Sequence, residues 1–218
     1  MTTDLSAPEL VLFPLAASPV ALSGTRTSRD KKLTKSVGEH WACTVLAGLG
    51  WAASLTRDGV ARTDVLAVHM ESGAMVSAQV KAASYSSNPS WYFGEKGLLP
   101  AMSPQEWYLL VVLPENPFGT PRTFVVPRDH AAAGAWIAYR DWLTDPTAEP
   151  GTRTTKPSAA RTYSWVFEDY EDKWERMTMP ADEAPILLPA YMRDLAASER
   201  VGLPPNHPWL NWMPSWGE

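Results

Sequence analysis

The sequence predicts an α/β fold in which a central mixed β-sheet of four or more strands is flanked by helices. Residues 64–81 form two short strands joined by a tight turn at Gly73, a residue that readily takes a positive φ. Residues 107–113 (WYLLVVL) are apolar throughout, as in a strand buried on both faces, and residues 122–126 supply a fourth strand. Residues 36–49 repeat apolar side chains at helical spacing and place a helix before the hairpin.

The remaining elements are predicted from weaker patterns. Residues 131–143 form an Ala-rich helix for which Asp129 is the candidate N-cap. A short strand or loop is expected before the hairpin, at residues 51–60. Towards the C-terminus we expect a strand at residues 163–167, a short acidic helix at residues 168–176 and a last helix from Pro189 onward.

The second strand of the hairpin, residues 74–81, alternates between its two faces. Ala78 and Val80 point one way, and Gln79 and Lys81 point the other. An in-register hairpin brings the start of its first strand near the end of its second. Asp64 is therefore expected to lie near Lys81.

Asp64, the triplet Gln79-Val80-Lys81 and Glu39 on the preceding helix together resemble the active-site hairpin of the PD-(D/E)xK nuclease superfamily. In that superfamily an Asp begins one strand, an acid-x-Lys triplet lies on the next, and many members carry a Glu on the helix before the hairpin. Here Gln79 stands in place of Asp or Glu, a Q-x-K version known in some branches. The resemblance implies a nuclease-like core.

The resemblance covers about residues 35–127 and implies a metal-dependent DNA endonuclease that hydrolyses phosphodiester bonds. Four residues are the catalytic candidates: Glu39, Asp64, Gln79 and Lys81. The ligands of a Mg²⁺ or Mn²⁺ ion are expected to be the Asp64 carboxylate, the Gln79 amide oxygen, the Val80 carbonyl and Glu39. Lys81 is expected to stabilise charge on the phosphorane or to orient the attacking water.

Each of these residues also has an ordinary structural explanation. A carboxylate such as Glu39 is favoured by the helix dipole in the first turns of a helix. Asp64 suits a turn at the end of a strand, and Lys81 suits a strand edge with its ammonium reaching water. The alternative function is therefore a catalytically inactive subunit of the same fold, used for binding or assembly in a prokaryotic defence or mobile-element system. The formal net charge of −5 and the neutral Gln79 favour this alternative, whereas the retained acids and Lys81 favour the enzyme.

Two groups of residues are candidates for nucleic-acid contact. One is the basic segment that enters the first helix, namely Arg26, Arg29, Lys31, Lys32 and Lys35. Since the whole chain is acidic, any attraction for phosphate must be local. The other is the pair Trp91 and Tyr92, whose rings suit stacking on bases. The alternatives are a solvated segment for the first group and rings that cover one end of the core for the second.

The chain divides by composition into an N-terminal arm (1–35), the nuclease-like core (36–143) and a C-terminal extension (144–218) rich in Trp and Pro. The tail is expected to pack its rings on the core, on a second copy or on a partner protein, because free rings would expose a large apolar patch. No apolar run approaches the ~20 residues of a membrane span, and a cytoplasmic location is expected. The single Cys and four His show no metal-ligand spacing, and loops typical of nucleotide binding or serine hydrolysis are lacking.

Overall fold

The computed structural model describes residues 31–57 and 60–216 of the 218-residue chain. The seven strands within these residues are β1 (Trp51–Leu55), β2 (Val65–His69), β3 (Met75–Ala83), β4 (Ser90–Tyr92), β5 (Glu106–Val112), β6 (Arg122–Pro127) and β7 (Arg161–Tyr163). The α-helices within them are α1 (Lys31–Gly48), α2 (Gly94–Gly97), α3 (Arg128–Leu143) and α4 (Tyr191–Ala197). No helix among them is long and apolar enough to cross a membrane.

Five strands form one mixed sheet in the order β1-β2-β3-β5-β6. Strands β3 and β5 are parallel, and the other neighbours are antiparallel. Strands β4 and β7 form a separate antiparallel pair. The predicted α/β class and the mixed sheet of four or more strands are therefore confirmed.

The hairpin forms as predicted, with Gly73 at φ 71° in its turn. Val65 lies opposite Ala78, and β2 begins one residue after Asp64. Strand β3 continues to Ala83 along β5, beyond the start of β2. One edge of β3 therefore loses its β2 partner at the position where Asp64 lies.

The sheet separates two hydrophobic cores. On one face, Ala42 and Leu46 of α1 pack against Val80 and its neighbours in β3 and β5. On the other face, Phe124 of β6 and Ile137 of α3 join side chains from the C-terminal third of the chain. Val80 belongs to the α1 face, which leaves Gln79 and Lys81 directed to the other face, as the alternation predicts.

Three predictions on the C-terminal half are wrong in detail. Helix α3 begins at Arg128 after Pro127, so Asp129 lies in its first turn instead of capping it and accepts a hydrogen bond from the Ala101 amide at 2.7 Å. The predicted strand 163–167 is instead the short β7 followed by a 3₁₀ segment, Ser164–Tyr170, because its apolar residues enter the core at helical rather than alternating spacing. The acidic stretch 168–176 forms no continuous helix, because its first residues end the 3₁₀ segment Ser164–Tyr170 and its last residues begin a second 3₁₀ turn, Trp174–Thr178. The last predicted helix is confirmed as α4.

The tryptophans near the C-terminus pack mostly against the rest of the chain. Trp216 is 5% exposed, and its indole donates a hydrogen bond to the Pro189 carbonyl at 3.4 Å. Trp209 lies between Trp216 and His130, with ring centroids 5.4 and 5.3 Å away. Trp212, by contrast, is 74% exposed.

Helix α1 lies close to β3 because Gly38 lacks a side chain at their contact. A Cβ at position 38 would lie 2.7 Å from the Cβ of Ala82. We expect Gly38→Ala to lower the free energy of unfolding by about 1–3 kcal/mol, since neither Cβ can move without its backbone. Gly48, at the other end of α1, is the matched control because an added Cβ meets no atom within 4 Å. Urea unfolding of both variants measures the difference, and equal stability of the two would contradict the close packing.

Candidate active site

Three charged side chains meet where the pairing of β2 with β3 ends: two come from α1, and the third belongs to Asp64, which immediately precedes β2. The ammonium of Lys35 lies 2.9 Å from Glu39 Oε1 and 3.3 Å from Asp64 Oδ1. Glu39 and Asp64 share this one ammonium. Their side chains are 15% and 16% exposed, whereas Lys35 is 49% exposed. We call these three residues the carboxylate cluster.

The end of the β2–β3 pairing holds Asp64 in place. Its amide donates to the Ala78 carbonyl at 2.9 Å, and its Oδ2 accepts a hydrogen bond from the Val80 amide, also at 2.9 Å. The carboxylate thus replaces the carbonyl that a longer β2 would have offered to β3. Because the N–H and C=O of one strand residue point to the same side, the Val80 carbonyl is directed to this edge too.

Helix α1 supplies the other two members of the cluster. Lys35 and Glu39 are four residues apart, so they lie on one face of the helix one turn from each other. The close approach at Gly38 brings that turn to the sheet edge. Together with Thr56, Arg57 and other residues around Asp64, they line a cleft of about 300 Å³.

The electrostatics of the cluster are those of two carboxylates that share one cation. Burial raises the pKa of Glu39, the Lys35 ammonium opposes this rise, and the Asp64 carboxylate adds to it. The hydrogen bond to Glu39 and the charge of Asp64 raise the pKa of Lys35. The cluster therefore stabilises a positive charge between its two acids.

Lys81 lies on the face of β3 that is directed away from α1. Burial lowers the pKa of Lys81, the Asp64 carboxylate opposes this shift, and the nearby Arg128 guanidinium adds to it. Its Nζ lies 5.7 Å from the centroid of the Phe93 ring. Asp64 and Lys81 interact electrostatically, as the hairpin register predicts.

Gln79 faces a buried arginine rather than the carboxylate cluster. Arg128, 1% exposed, donates from Nη1 to Gln79 Oε1 at 3.4 Å and lies 3.2 Å from Glu106 Oε2. Arg62 lies 2.8 Å from the same Glu106 oxygen, so two guanidiniums share one carboxylate. A role for Gln79 as a metal ligand stays a prediction, and it requires the contact with Arg128 to break.

Sequence reasoning missed the two arginines that share Glu106 and the role of Lys35 in the cluster. Glu106 is the first residue of the apolar strand β5, and Arg128 directly follows the apolar strand β6. A charged residue next to buried apolar residues indicates that it has a partner of opposite charge. That signal was available, but the partner of each residue lies far away in the sequence. Arg62 has a positive φ of 72°, which no pattern in the sequence indicates.

The residues predicted to contact nucleic acid fall into separate groups. Arg26 and Arg29 lie outside the described residues, and Lys31 and Lys32 are exposed on the first turn of α1. Lys35 belongs instead to the carboxylate cluster. Trp91 is 3% exposed and donates its indole N–H to the Val111 carbonyl at 3.3 Å, so the prediction that it stacks on bases is wrong; its ring covers the core. Tyr92 is exposed.

The carboxylate cluster contains oxygen donors of the kind that bind divalent ions. Within residues 31–57 and 60–216, no three His, Cys, Asp or Glu side chains form a group that could hold a metal ion. Glu39 and Asp64 nevertheless provide two carboxylates, and Mg²⁺ is commonly bound through one or two carboxylates with waters and substrate phosphates as its other ligands. Mn²⁺ prefers the same oxygen donors. Glu39 and Asp64 are thus two oxygen donors of the kind that either ion takes.

Comparisons with models of protein families, with curated proteins and with solved structures found no match to this chain. The fold and site define an α/β protein with a mixed five-stranded sheet and a cleft that holds two carboxylates at the sheet edge. The chemistry of that cleft is the basis for the function proposed below.

Proposed function

We propose that this chain is a metal-dependent endonuclease that hydrolyses phosphodiester bonds in DNA. The observation that carries the proposal is the convergence of Glu39 and Asp64 on one cleft, with Lys81 held within the electrostatic field of Asp64. Two acids in one cleft, with an amine of lowered pKa beside one of them, mark a candidate catalytic site. The expected class is that of the PD-(D/E)xK nucleases.

The order of the elements supports that class. Helix α1 carries Glu39, Asp64 immediately precedes β2, and Lys81 lies on β3, which is the neighbour of β2 in the same sheet. These are the positions that the resemblance assigns to the three residues. Gln79 departs from the acid of the common pattern, which leaves the cleft with two anionic ligands instead of three.

The side chains divide the work between holding the ion and stabilising the phosphate. A Mg²⁺ or Mn²⁺ ion supplies a polarised water and withdraws charge from the phosphate. Asp64 and Glu39 would hold the ion, and the hydrogen bond from the Val80 amide keeps the Asp64 carboxylate in its orientation. The ammonium of Lys81 would stabilise the charge that develops on the phosphoryl oxygens.

Exposed lysines extend from the cleft towards the N-terminus. Lys31 and Lys32 lie on the turn of α1 that precedes Lys35, and Arg26 and Arg29 precede them in the sequence. We expect this segment to contact the phosphates that flank the cleft. A cytoplasmic location, where the chain would meet DNA, remains an expectation.

The second candidate function is a catalytically inactive subunit of the same fold that binds or assembles with partners, for example in a prokaryotic defence or mobile-element system. Two observations favour it. Lys35 already places a cation between Glu39 and Asp64, and Gln79 donates no oxygen to the cleft because it faces Arg128. Lys35 thus offsets one of the two negative charges of the cluster, which reduces its need for a metal.

Lys35→Met separates the two candidates. If the chain is a nuclease, Lys35 competes with the metal, so the variant should bind Mg²⁺ about tenfold more tightly, the equivalent of ~1.4 kcal/mol after allowance for the exposure of Lys35. Plasmid nicking in Mg²⁺ or Mn²⁺ should persist in both proteins. Mg²⁺ affinity from calorimetry and nicking from gel electrophoresis measure this, with Lys173→Met as the control for loss of a lysine outside the cleft.

The inactive subunit gives the opposite pattern for the same variant. Without Lys35, Glu39 and Asp64 repel each other, and the folded-state pKa of Glu39 rises further above its unfolded value. The variant then loses stability at neutral pH and regains it as the pH falls and Glu39 takes up a proton. No stabilisation by Mg²⁺ in either protein, together with no nicking, overturns the proposed nuclease.

A further inference from the structure

A second cleft, of about 590 Å³, lies away from the carboxylate cluster. Six aromatic side chains line it. Tyr139 is buried, and the other five are between 37% and 50% exposed: Tyr92, Trp142, Tyr163, Trp165 and Tyr191. We call it the aromatic cleft. Its volume is within the range of ~300–1,000 Å³ typical of small-ligand sites.

Separate elements present these rings. Tyr92 and Tyr163 come from the β4–β7 pair, Trp165 follows β7, Trp142 lies near the end of α3, and Tyr191 begins α4. No ring contact joins any of these five described side chains to another of them. The cleft therefore offers several aromatic surfaces that are not already stacked on one another.

The charges around the cleft leave one cation without a carboxylate. Asp141 pairs with Arg200, and Asp145 lies 3.2 Å from Arg153, so both acids in the lining are neutralised. Arg161 makes no ion pair with any carboxylate of the described residues. Its guanidinium instead lies 4.9 Å from the centroid of the Tyr92 ring and donates to the Tyr92 hydroxyl at 2.6 Å.

We propose that the aromatic cleft binds a nucleotide, with its base against the exposed rings and its phosphate on Arg161. Aromatic side chains stack on every base because each base has a π-face, and since Arg161 donates to the Tyr92 hydroxyl from Nε, its Nη N–H groups are left for a phosphate. An unpaired Arg161 disfavours the quaternary ammonium ligands that other aromatic cages accept. A purely apolar ligand would leave the charge unused.

This site goes beyond the proposed nuclease function and does not depend on it. The two sites are nevertheless adjacent in the sequence. Tyr92 lines the aromatic cleft, and the next residue, Phe93, carries the ring that Lys81 contacts. The bound nucleotide is either free or part of a nucleic-acid strand. In both cases the cleft recognises one base and one phosphate.

Calorimetry without metal tests the site with dTMP and dAMP as probes. We expect both to bind, and thymidine and deoxyribose 5-phosphate to bind at least about tenfold more weakly, because each lacks one of the two recognised groups. Trp165→Ala should weaken dTMP about tenfold or more. Trp212→Ala, which removes an exposed tryptophan outside the cleft, should change it less than about twofold.

Two substitutions of Arg161 test whether its charge and its planar guanidinium both contribute to phosphate binding. In Arg161→Gln, dTMP should bind no better than thymidine, whereas Arg161→Lys should recover part of the difference because it keeps the charge but loses the planar fork of N–H groups. Lys173→Gln controls for a general loss of positive charge. Equal losses in Arg161→Gln and Lys173→Gln, or no binding of either mononucleotide at millimolar concentration, overturn the proposal.

Short oligonucleotides then identify the source of the nucleotide. Oligo-dT that binds more than about tenfold better than dTMP, with an abasic oligomer of equal length much weaker, assigns the cleft to a strand; equal affinity for dTMP and oligo-dT assigns it to a free nucleotide. An abasic oligomer or an unrelated peptide that binds as well as dTMP contradicts base recognition. Because Asp64→Ala leaves this cleft unchanged, loss of cleavage and loss of nucleotide binding are independent outcomes.

Discussion

Asp64→Ala is expected to reduce plasmid cleavage by at least about a thousandfold, below detection in a nicking assay. Among the described residues two carboxylates line the cleft, and the variant removes one of them, the acid whose charge acts on Lys81. It also leaves the Val80 amide without its acceptor, which should lower the free energy of unfolding by about 1–3 kcal/mol. Loss of activity in Asp64→Ala therefore has two possible causes.

Asp64→Asn separates these causes. The amide oxygen of Asn accepts the hydrogen bond from Val80, so this variant should retain most of its stability, but it carries no charge to hold a divalent ion. We expect cleavage to be lost equally in both variants while only Asp64→Ala unfolds earlier in urea. Cleavage by Asp64→Asn at the wild-type rate would show that Asp64 acts as a structural cap and not as a ligand.

The sheet could be predicted from the sequence because each strand has a pattern that can be recognised within a few consecutive residues. The alternation at Gln79 and Lys81 fixes the faces of β3, and Gly73 fixes the turn, so the register follows from short-range rules. The segment after Tyr163 was mispredicted because tertiary packing decides its shape. Val166 and Phe167 enter the core in a 3₁₀ segment that their β-branched and aromatic composition does not indicate.

The candidate site was predictable only where a motif marks it. Glu39, Asp64 and Lys81 were found because their order along the chain matches a known arrangement. The pairing of Lys35 with both acids depends on the distance between α1 and the sheet, which Gly38 sets and no short motif encodes. The turn of Gln79 towards Arg128 likewise depends on a residue 49 positions away.

Lys81→Met is expected to lower the cleavage rate by about a hundredfold or more and, at the same time, to stabilise the fold. The first effect follows from the loss of a cation placed to stabilise developing phosphoryl charge. The second follows from burial, which holds the pKa of Lys81 below its ordinary value of 10.5. A protonated Lys81 is thus more costly in the folded chain than in the unfolded one, and Met has similar bulk without the charge.

The pH dependence of the second effect has a definite sign. Since the folded-state pKa is the lower one, the cost of Lys81 is fully present below that pKa and fades as the pH rises towards 10.5. Lys81→Met should therefore exceed the wild type in melting temperature at pH 7, and the gap should narrow in alkaline buffer. Lys96→Met, at an exposed position on α2, controls for the loss of any lysine and should show neither change. A destabilised Lys81→Met at pH 7 would mean that attraction to Asp64 outweighs burial, and Lys81 would then be a structural partner of Asp64 rather than a group held ready for phosphate.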